Sequence, residues 1–308
     1  IARGEIVELR PASRPAAPPP APTPAAALEA LRDRVVRDLP TVAQEIVNEG
    51  AARCFDYQDS AYAALYLDRL DKVWTAERGT GGDGSLVKEV GRHLALWMSY
   101  EDVIRVAQIK TRANRLQKVN RGSGARGEQP VIVTEFLKPG IDEFASILPP
   151  ALGRRLVGWA ERTNSHNRFN VGLHIRTSTV LGFALLRLMA SLKGWRRRGY
   201  RFGVEQQGIE RWLDAIRTAA GKDKAVALEI AECARLIKGY SDTHRRGTGN
   251  FRRIMETLVT PALAASNVRP DFYANAAAAI ATARKAALAD PEGQTLDRTL
   301  AQLATARA

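Results

Sequence analysis

The sequence is poor in several residues on which well-known chemistries depend. It has two cysteines, Cys54 and Cys233, among 308 residues. Two thiols make no disulfide framework, and this argues for a reducing compartment, the cytoplasm. They also exclude an iron–sulfur cluster carried by this chain alone, which takes four thiolates. The histidines are His93, His166, His174 and His244, none at close ligand spacing from another histidine or a cysteine, so no zinc site is expected. His93, between apolar neighbours on a helical pattern, reads as a satisfied, partly buried histidine. The longest apolar run, Val180–Leu186, is seven residues and stops at Arg187, far short of a membrane span. No G-x-S-x-G elbow or Walker lysine is present, and no charged-then-apolar stretch opens the 308 residues. No carboxylate pair stands out in apolar surroundings where one pKa would rise enough for acid–base work.

What the chain has in plenty is helical periodicity. In "DYQDSAYAALYLDRLDKVW" the apolar residues Tyr62, Leu65, Tyr66, Leu70, Val73 and Trp74 recur every three or four positions. "SLVKEVGRHLALWM" repeats the pattern through Leu86, Val90, Leu94 and Trp97, with Ser85 as the expected N-cap. Further helices are expected near 141–162, 171–193, 200–219, 223–238, 249–265, 271–289 and 292–306. Two-residue alternation is nearly absent, and "PVIVTEF" (130–136) is the one candidate strand or extended connector. The expectation is an all-α fold of nine to eleven helices with at most one short strand. It fills residues 25–308 as one domain, with a weak subdivision near 120–130. Residues 1–24, dense in proline, read as a semi-rigid linker from a domain further upstream.

The formal charge is +13. The cations are scattered, which fits solvated helix faces better than a nucleic-acid stripe. "KGWRRRGYR" (193–201) is the densest cluster and the best case for a nucleic-acid surface, since Trp195 and Tyr200 could stack bases between cations. "GTGGDG" (79–84) and "GSGARG" (122–127) both match G-x-G-x-x-G, but a helix precedes the first where that motif needs a strand. Both are expected to be interhelical loops.

Two polar constellations remain. Lys238, Asp242, Thr243, His244, Arg245 and Arg246 follow a helix that ends at Gly239, and form a basic interhelical loop that could hold a carboxylate or phosphate. Ser241 or Asp242 is the expected cap of the next helix. His174, Arg176, Thr177 and Ser178 are expected to interrupt an apolar helix, where hydroxyls bond back to the preceding turn. For both sets, helix-locking polar networks compete with anion or partner binding.

Four segments, "DYQDSAYAALYLDRL", "GRHLALWMSYEDVIRVAQIKTR", "VTEFLKP" and "LIKGYSDTHRRG", in this order from about Arg53 to about Thr260, resemble the C-terminal region of the indolepyruvate ferredoxin oxidoreductase beta-subunit family. The resemblance implies a 2-oxoacid oxidoreductase that oxidatively decarboxylates an arylpyruvate to an acyl-CoA. Thiamine diphosphate and iron–sulfur clusters would be held elsewhere in the complex, with none bound by this segment. It implies as partners an upstream gamma-type domain, a thiamine-binding and iron–sulfur subunit and, indirectly, ferredoxin. The segment itself would dock subunits, cover the active site or touch coenzyme A, with no catalytic residue of its own. A basic nucleic-acid-binding helical protein and a ligand-free scaffold are the alternatives.

Overall fold

A computed structural model of the chain describes residues 23–122, 132–163, 165, 172–265 and 275–305. Most of the expected linker, most of the 120–130 stretch, the second glycine motif beyond Gly122 and His166 lie outside these residues. The fold is all-α. Among the described residues the helices exceed the nine to eleven expected, because several long patterns divide, and there are two short strands rather than one.

Helix α1 (Pro24–Asp38) starts on the last residue of the expected linker, one residue before the domain was expected to begin. Pro24 occupies its first turn, and the Thr23 hydroxyl accepts from the Ala26 N–H. Helices α2 (Thr41–Tyr57), α3 (Ser60–Arg78) and α4 (Ser85–Met98) follow, with α2 packed closely on both α3 and α4. The expected stripes point inward: Tyr62, Tyr66, Leu70, Val73, Leu86, Val90, Leu94 and Trp97 are all buried. Helices α10 (Tyr200–Ala220), α11 (Lys224–Glu232) and α12 (Ser241–Ile254) close the same core. A π-turn (Met255–Val259) carries α12 without a break into α13 (Thr260–Ala265). Helices α14 (Ala276–Ala289) and α15 (Gln294–Thr305) complete that body.

A thinner lobe lies between α4 and α10. It contains α5 (Val103–Lys110), α6 (Ala113–Gly122), β1 (Thr134–Leu137), α7 (Ile141–Ile147), α8 (Pro150–Arg162), β2 (Leu173–Arg176) and α9 (Val180–Ser191), then a 3-10 segment (Leu192–Arg198). Strands β1 and β2 pair antiparallel with Thr134 opposite Arg176 and Leu137 opposite Leu173. The helix expected over 171–193 therefore starts nine residues late, because 173–176 finds a ladder partner some forty residues upstream. The Thr179 hydroxyl caps α9 by accepting from the Gly182 N–H. Gly182 itself is required there, since a Cβ would stand 2.1 Å from the Arg176 carbonyl oxygen. No described helix is long and apolar enough to cross a membrane.

Candidate functional site

The expected basic loop is mostly helix. Lys238, Gly239 and Tyr240 form an exposed corner, and Gly239 takes the left-handed conformation (φ +73°) as expected. From Ser241 onward the chain is α12, so Asp242, Thr243, His244, Arg245 and Arg246 occupy its first turns rather than a loop. Neither Ser241 nor Asp242 caps the helix through its side chain. The cations are engaged within the fold. Arg245 donates to Asp142 of α7 at 3.0 Å and to Asp242 one turn back, and Arg246 pairs with Glu292 beyond α14. Thr243 and Lys238 are exposed.

His244 turns inward and leads to a residue that sequence reasoning missed, Glu205 on α10. The Glu205 carboxylate is buried; its Oε2 accepts from Trp97 Nε1 at 2.8 Å and its Oε1 from Arg201 Nε at 3.1 Å. His244 Nε2 lies 3.1 Å from Oε1 but off the line of a straight hydrogen bond. Burial alone would push this carboxyl up. His244, Arg201 and Trp97 outweigh it and hold the pKa down to about 2. The Arg201 guanidinium also donates to the Glu101 carbonyl at 3.0 Å and lies 4.7 Å from the centre of the Tyr100 ring. Trp97 packs against Trp212 and Phe251, so α4, α10 and α12 meet at this carboxylate.

A second buried pair adjoins the first. Asp102 caps α5, accepting from the Arg105 N–H at 2.6 Å, and also takes Arg196 Nε at 2.7 Å. Arg196 donates further to the Tyr57 carbonyl and to Gln58, and its guanidinium lies 3.9 Å from the centre of the Tyr57 ring. The cationic cluster 193–201 is thus mostly engaged by contacts within the fold, with Arg198 the exception. Arg197 pairs with Asp59 at 2.7 Å, Lys193 donates to the Asp56 carbonyl, and Trp195 Nε1 donates to the Ile147 carbonyl. A third acid, Glu135 of β1, takes Lys110 and Arg115. Burial raises its pKa, and these two cations more than reverse the shift.

The other expected set divides between two roles. His174 and Arg176 stand exposed on β2, with the His174 ring edge-on to Phe136 at 4.8 Å. Thr177 is buried, its N–H donating to the Val133 carbonyl at 2.9 Å, while Ser178 Oγ accepts from the Val133 N–H. These hydroxyls close the strand pair; they do not bond back along a helix as expected.

The loop 79–84 lies between two helices, as expected, and its anion comes from the chain itself. Glu77, 2% exposed, accepts from the N–H groups of Gly84, Leu86 and Val87 at the N-terminus of α4. That carboxylate caps α4 in place of Ser85. His93 is buried, 3.3 Å from Glu232, with Glu89 beside them. Burial pushes the imidazole pKa down, and Glu232 pulls it only partly back. Arg92, Arg235 and Arg284 already neutralise these two carboxylates, so the trio resembles an ion-pair knot more than a cation site.

The missed residues carry one shared signal. Glu205 stands in step with Ile209, Trp212 and Ile216, and Glu77 with Leu70 and Val73; all these apolar partners are buried. An acid in register with an apolar stripe marks a buried, paired carboxylate.

No curated protein and no solved structure matches the chain. One family does, over residues 43–257, a span that includes all four motif segments, the Glu205 and Asp102 centres and the whole thin lobe. The chain belongs to that family, a family of unknown function designated DUF6537.

Proposed function

We propose that this chain is the accessory helical module of a thiamine-diphosphate-dependent 2-oxoacid:ferredoxin oxidoreductase of the indolepyruvate type, working in the cytoplasm. It contributes shape and subunit contacts, while bond-breaking takes place on other domains. The observation that carries the reading is the way the four resembling segments meet. Their polar residues enter three ion-paired centres: Trp97 and His244 meet Glu205 and Arg201, Tyr57 and Asp102 meet Arg196, and Glu135 takes Lys110 and Arg115. Polar groups joined in this way fix helices relative to one another and give a rigid body that others can dock on.

A basic nucleic-acid-binding role is the second reading, and the 193–201 cluster was its main support. With Arg196, Arg197 and Arg201 each paired to a carboxylate, that cluster offers few cations to phosphates.

The test is made in the full reading frame, co-produced with its thiamine-binding and iron–sulfur partner. Arylpyruvate-dependent, CoA-dependent reduction of methyl viologen is measured with residues 25–308 present and deleted. Loss of assembly and rate on deletion, with no turnover by the isolated segment, is the expected result. An isolated segment that turns over substrate, or a deletion that leaves assembly and rate intact, would refute the proposal.

A further inference from the structure

Apolar exposure in this molecule is concentrated in one place. Among the described residues, nineteen large apolar side chains stand exposed, and thirteen of them lie between residues 132 and 195. That same lobe has a small core of its own, in which Ala107, Ile175, Leu186 and Ala190 are the buried members. Scattered single apolar residues on a surface need no explanation, but a contiguous set does.

Helix α9 is the centre of the set. In VLGFALLRLMAS the one charge is Arg187. The helix lies on α5 and buries Leu186 and Ala190 on that side. Its other side carries Leu181, Leu185, Leu188 and Leu192 at spacings of four, three and four, and they are 82%, 46%, 66% and 38% exposed. Val180, at 89%, adjoins the stripe, and Phe136, at 76%, stands on the outer side of β1 next to His174. A helix apolar on every side belongs inside a larger assembly. Here one half has found its cover within the chain and the other half has not.

The stretch of chain that carries α9 has charge of one sign. Residues 172–198 contain no aspartate or glutamate. Among the described residues, Arg176, Arg187 and Arg198 pair with no carboxylate, whereas most other arginines of the lobe's neighbourhood do.

We infer that the leucine stripe of α9, with the outer side of the β1–β2 pair, is a docking surface for a protein partner whose matching face is apolar and rimmed by carboxylates. Leu181, Leu185 and Leu188 supply the buried centre, and Arg176, Arg187 and Arg198 meet the acidic rim. A second copy of this chain is the wrong occupant, because a two-fold contact would set these arginines against their own duplicates. A nucleic acid would leave the leucines uncovered. A membrane surface selects a helix with a strongly charged polar side, and the second side of α9 is packed on α5 with a single cation on the whole helix. The inference rests on the accessory-module reading for which complex the partner belongs to, and on the exposed face for the contact itself.

The experiment uses the full-length protein in its source cells, with p-benzoylphenylalanine placed at Leu188 and, as a control, at the exposed Val36 on α1. After irradiation, mass spectrometry maps the adduct. The expected product is a crosslink from position 188, absent from position 36, to one different polypeptide, with Asp or Glu flanking the attachment point. Leu181→Glu combined with Leu185→Glu should lower its yield at least about tenfold, as for loss of a hot-spot contact, without moving the melting temperature of the isolated chain. Arg176→Glu with Arg187→Glu should do the same, and added salt should weaken the wild-type complex. A lipid adduct, or flotation with 1:1 phosphatidylcholine–phosphatidylglycerol vesicles, overturns the proposal. So does a copy-to-copy crosslink, equal labelling from Val36, indifference to the charge reversals, or no crosslink. A carboxylate-rimmed partner that belongs to no oxidoreductase would leave the docking face standing and refute the functional assignment instead.

Discussion

Glu205→Gln removes one charge from the point where α4, α10 and α12 converge, and its cost can be worked from the structure. The carboxyl titrates near 4.5 in an ordinary environment and about 2 in the fold. Its folded pKa is depressed, so it contributes stability above the unfolded value that is lost as pH falls from about 4.5 to about 2. The shift of about two and a half units corresponds to about 3 kcal/mol at neutral pH, at ~1.4 kcal/mol per unit. Replacing the carboxylate by an amide also leaves the nearly buried Arg201 guanidinium without its counter-ion, a loss that in buried pairs runs to ~3–5 kcal/mol. Urea unfolding followed by the fluorescence of Trp97 and Trp212, which both sit at this centre, should give a deficit of about 3 kcal/mol at pH 7. The deficit should narrow by more than half by pH 3, as the wild type loses what the variant never had. Other carboxylates shape the acid limb of both proteins equally, so the difference isolates Glu205. A deficit below about 0.5 kcal/mol, the scale of an ordinary surface substitution, would refute the reasoning, as would one that stays constant from pH 7 to pH 3.

Three further outcomes are expected. Arg196→Met should destabilise the chain by ~3–5 kcal/mol by stranding Asp102, and adding Asp102→Leu should restore part of that loss in calorimetry or urea titration, less the ~1 kcal/mol of the α5 cap that it removes. Gly182→Ala drives a Cβ toward the Arg176 carbonyl, and should cost about 1–3 kcal/mol and speed amide exchange across 173–176 more than across α3. Burial pushes the thiols of Cys54 and Cys233 up to about 12, so Ellman's reagent at pH 8 should leave the native chain unlabelled and modify both in urea.

Local periodicity made much of the main body legible. The stripes of α3 and α4 were readable because every fourth or third residue is large and apolar, and packing needs nothing more. Four things escaped for separate physical reasons. The strand at 173–176 depends on a partner at 134–137, and no window of a dozen residues contains both. The start of α12 resembles a loop because glycines and polar side chains crowd it. Yet Gly247 is there for close packing, since a Cβ would meet the Leu236 carbonyl oxygen at 2.1 Å. Within the expected site, the residue types pointed to ion binding, but whether a cation is free depends on which carboxylate faces it. Asp142 is about a hundred residues from Arg245, and Glu292 nearly fifty from Arg246. The Glu205 centre was hidden for the opposite reason: its signal is one acid in an apolar rhythm, and counting apolar positions passes over it.

The slender interior of the lobe between α4 and α10 bears on how the chain moves as well as on what it touches. With so few side chains shielded from solvent, this portion should open at a lower free energy than the body formed by α1–α4 and α10–α15, and do so as its own cooperative unit. Anything that covers α9 then adds its binding free energy to that opening step. Occupancy and local order become one equilibrium, in which the abundance of the binding protein sets how long this region stays closed.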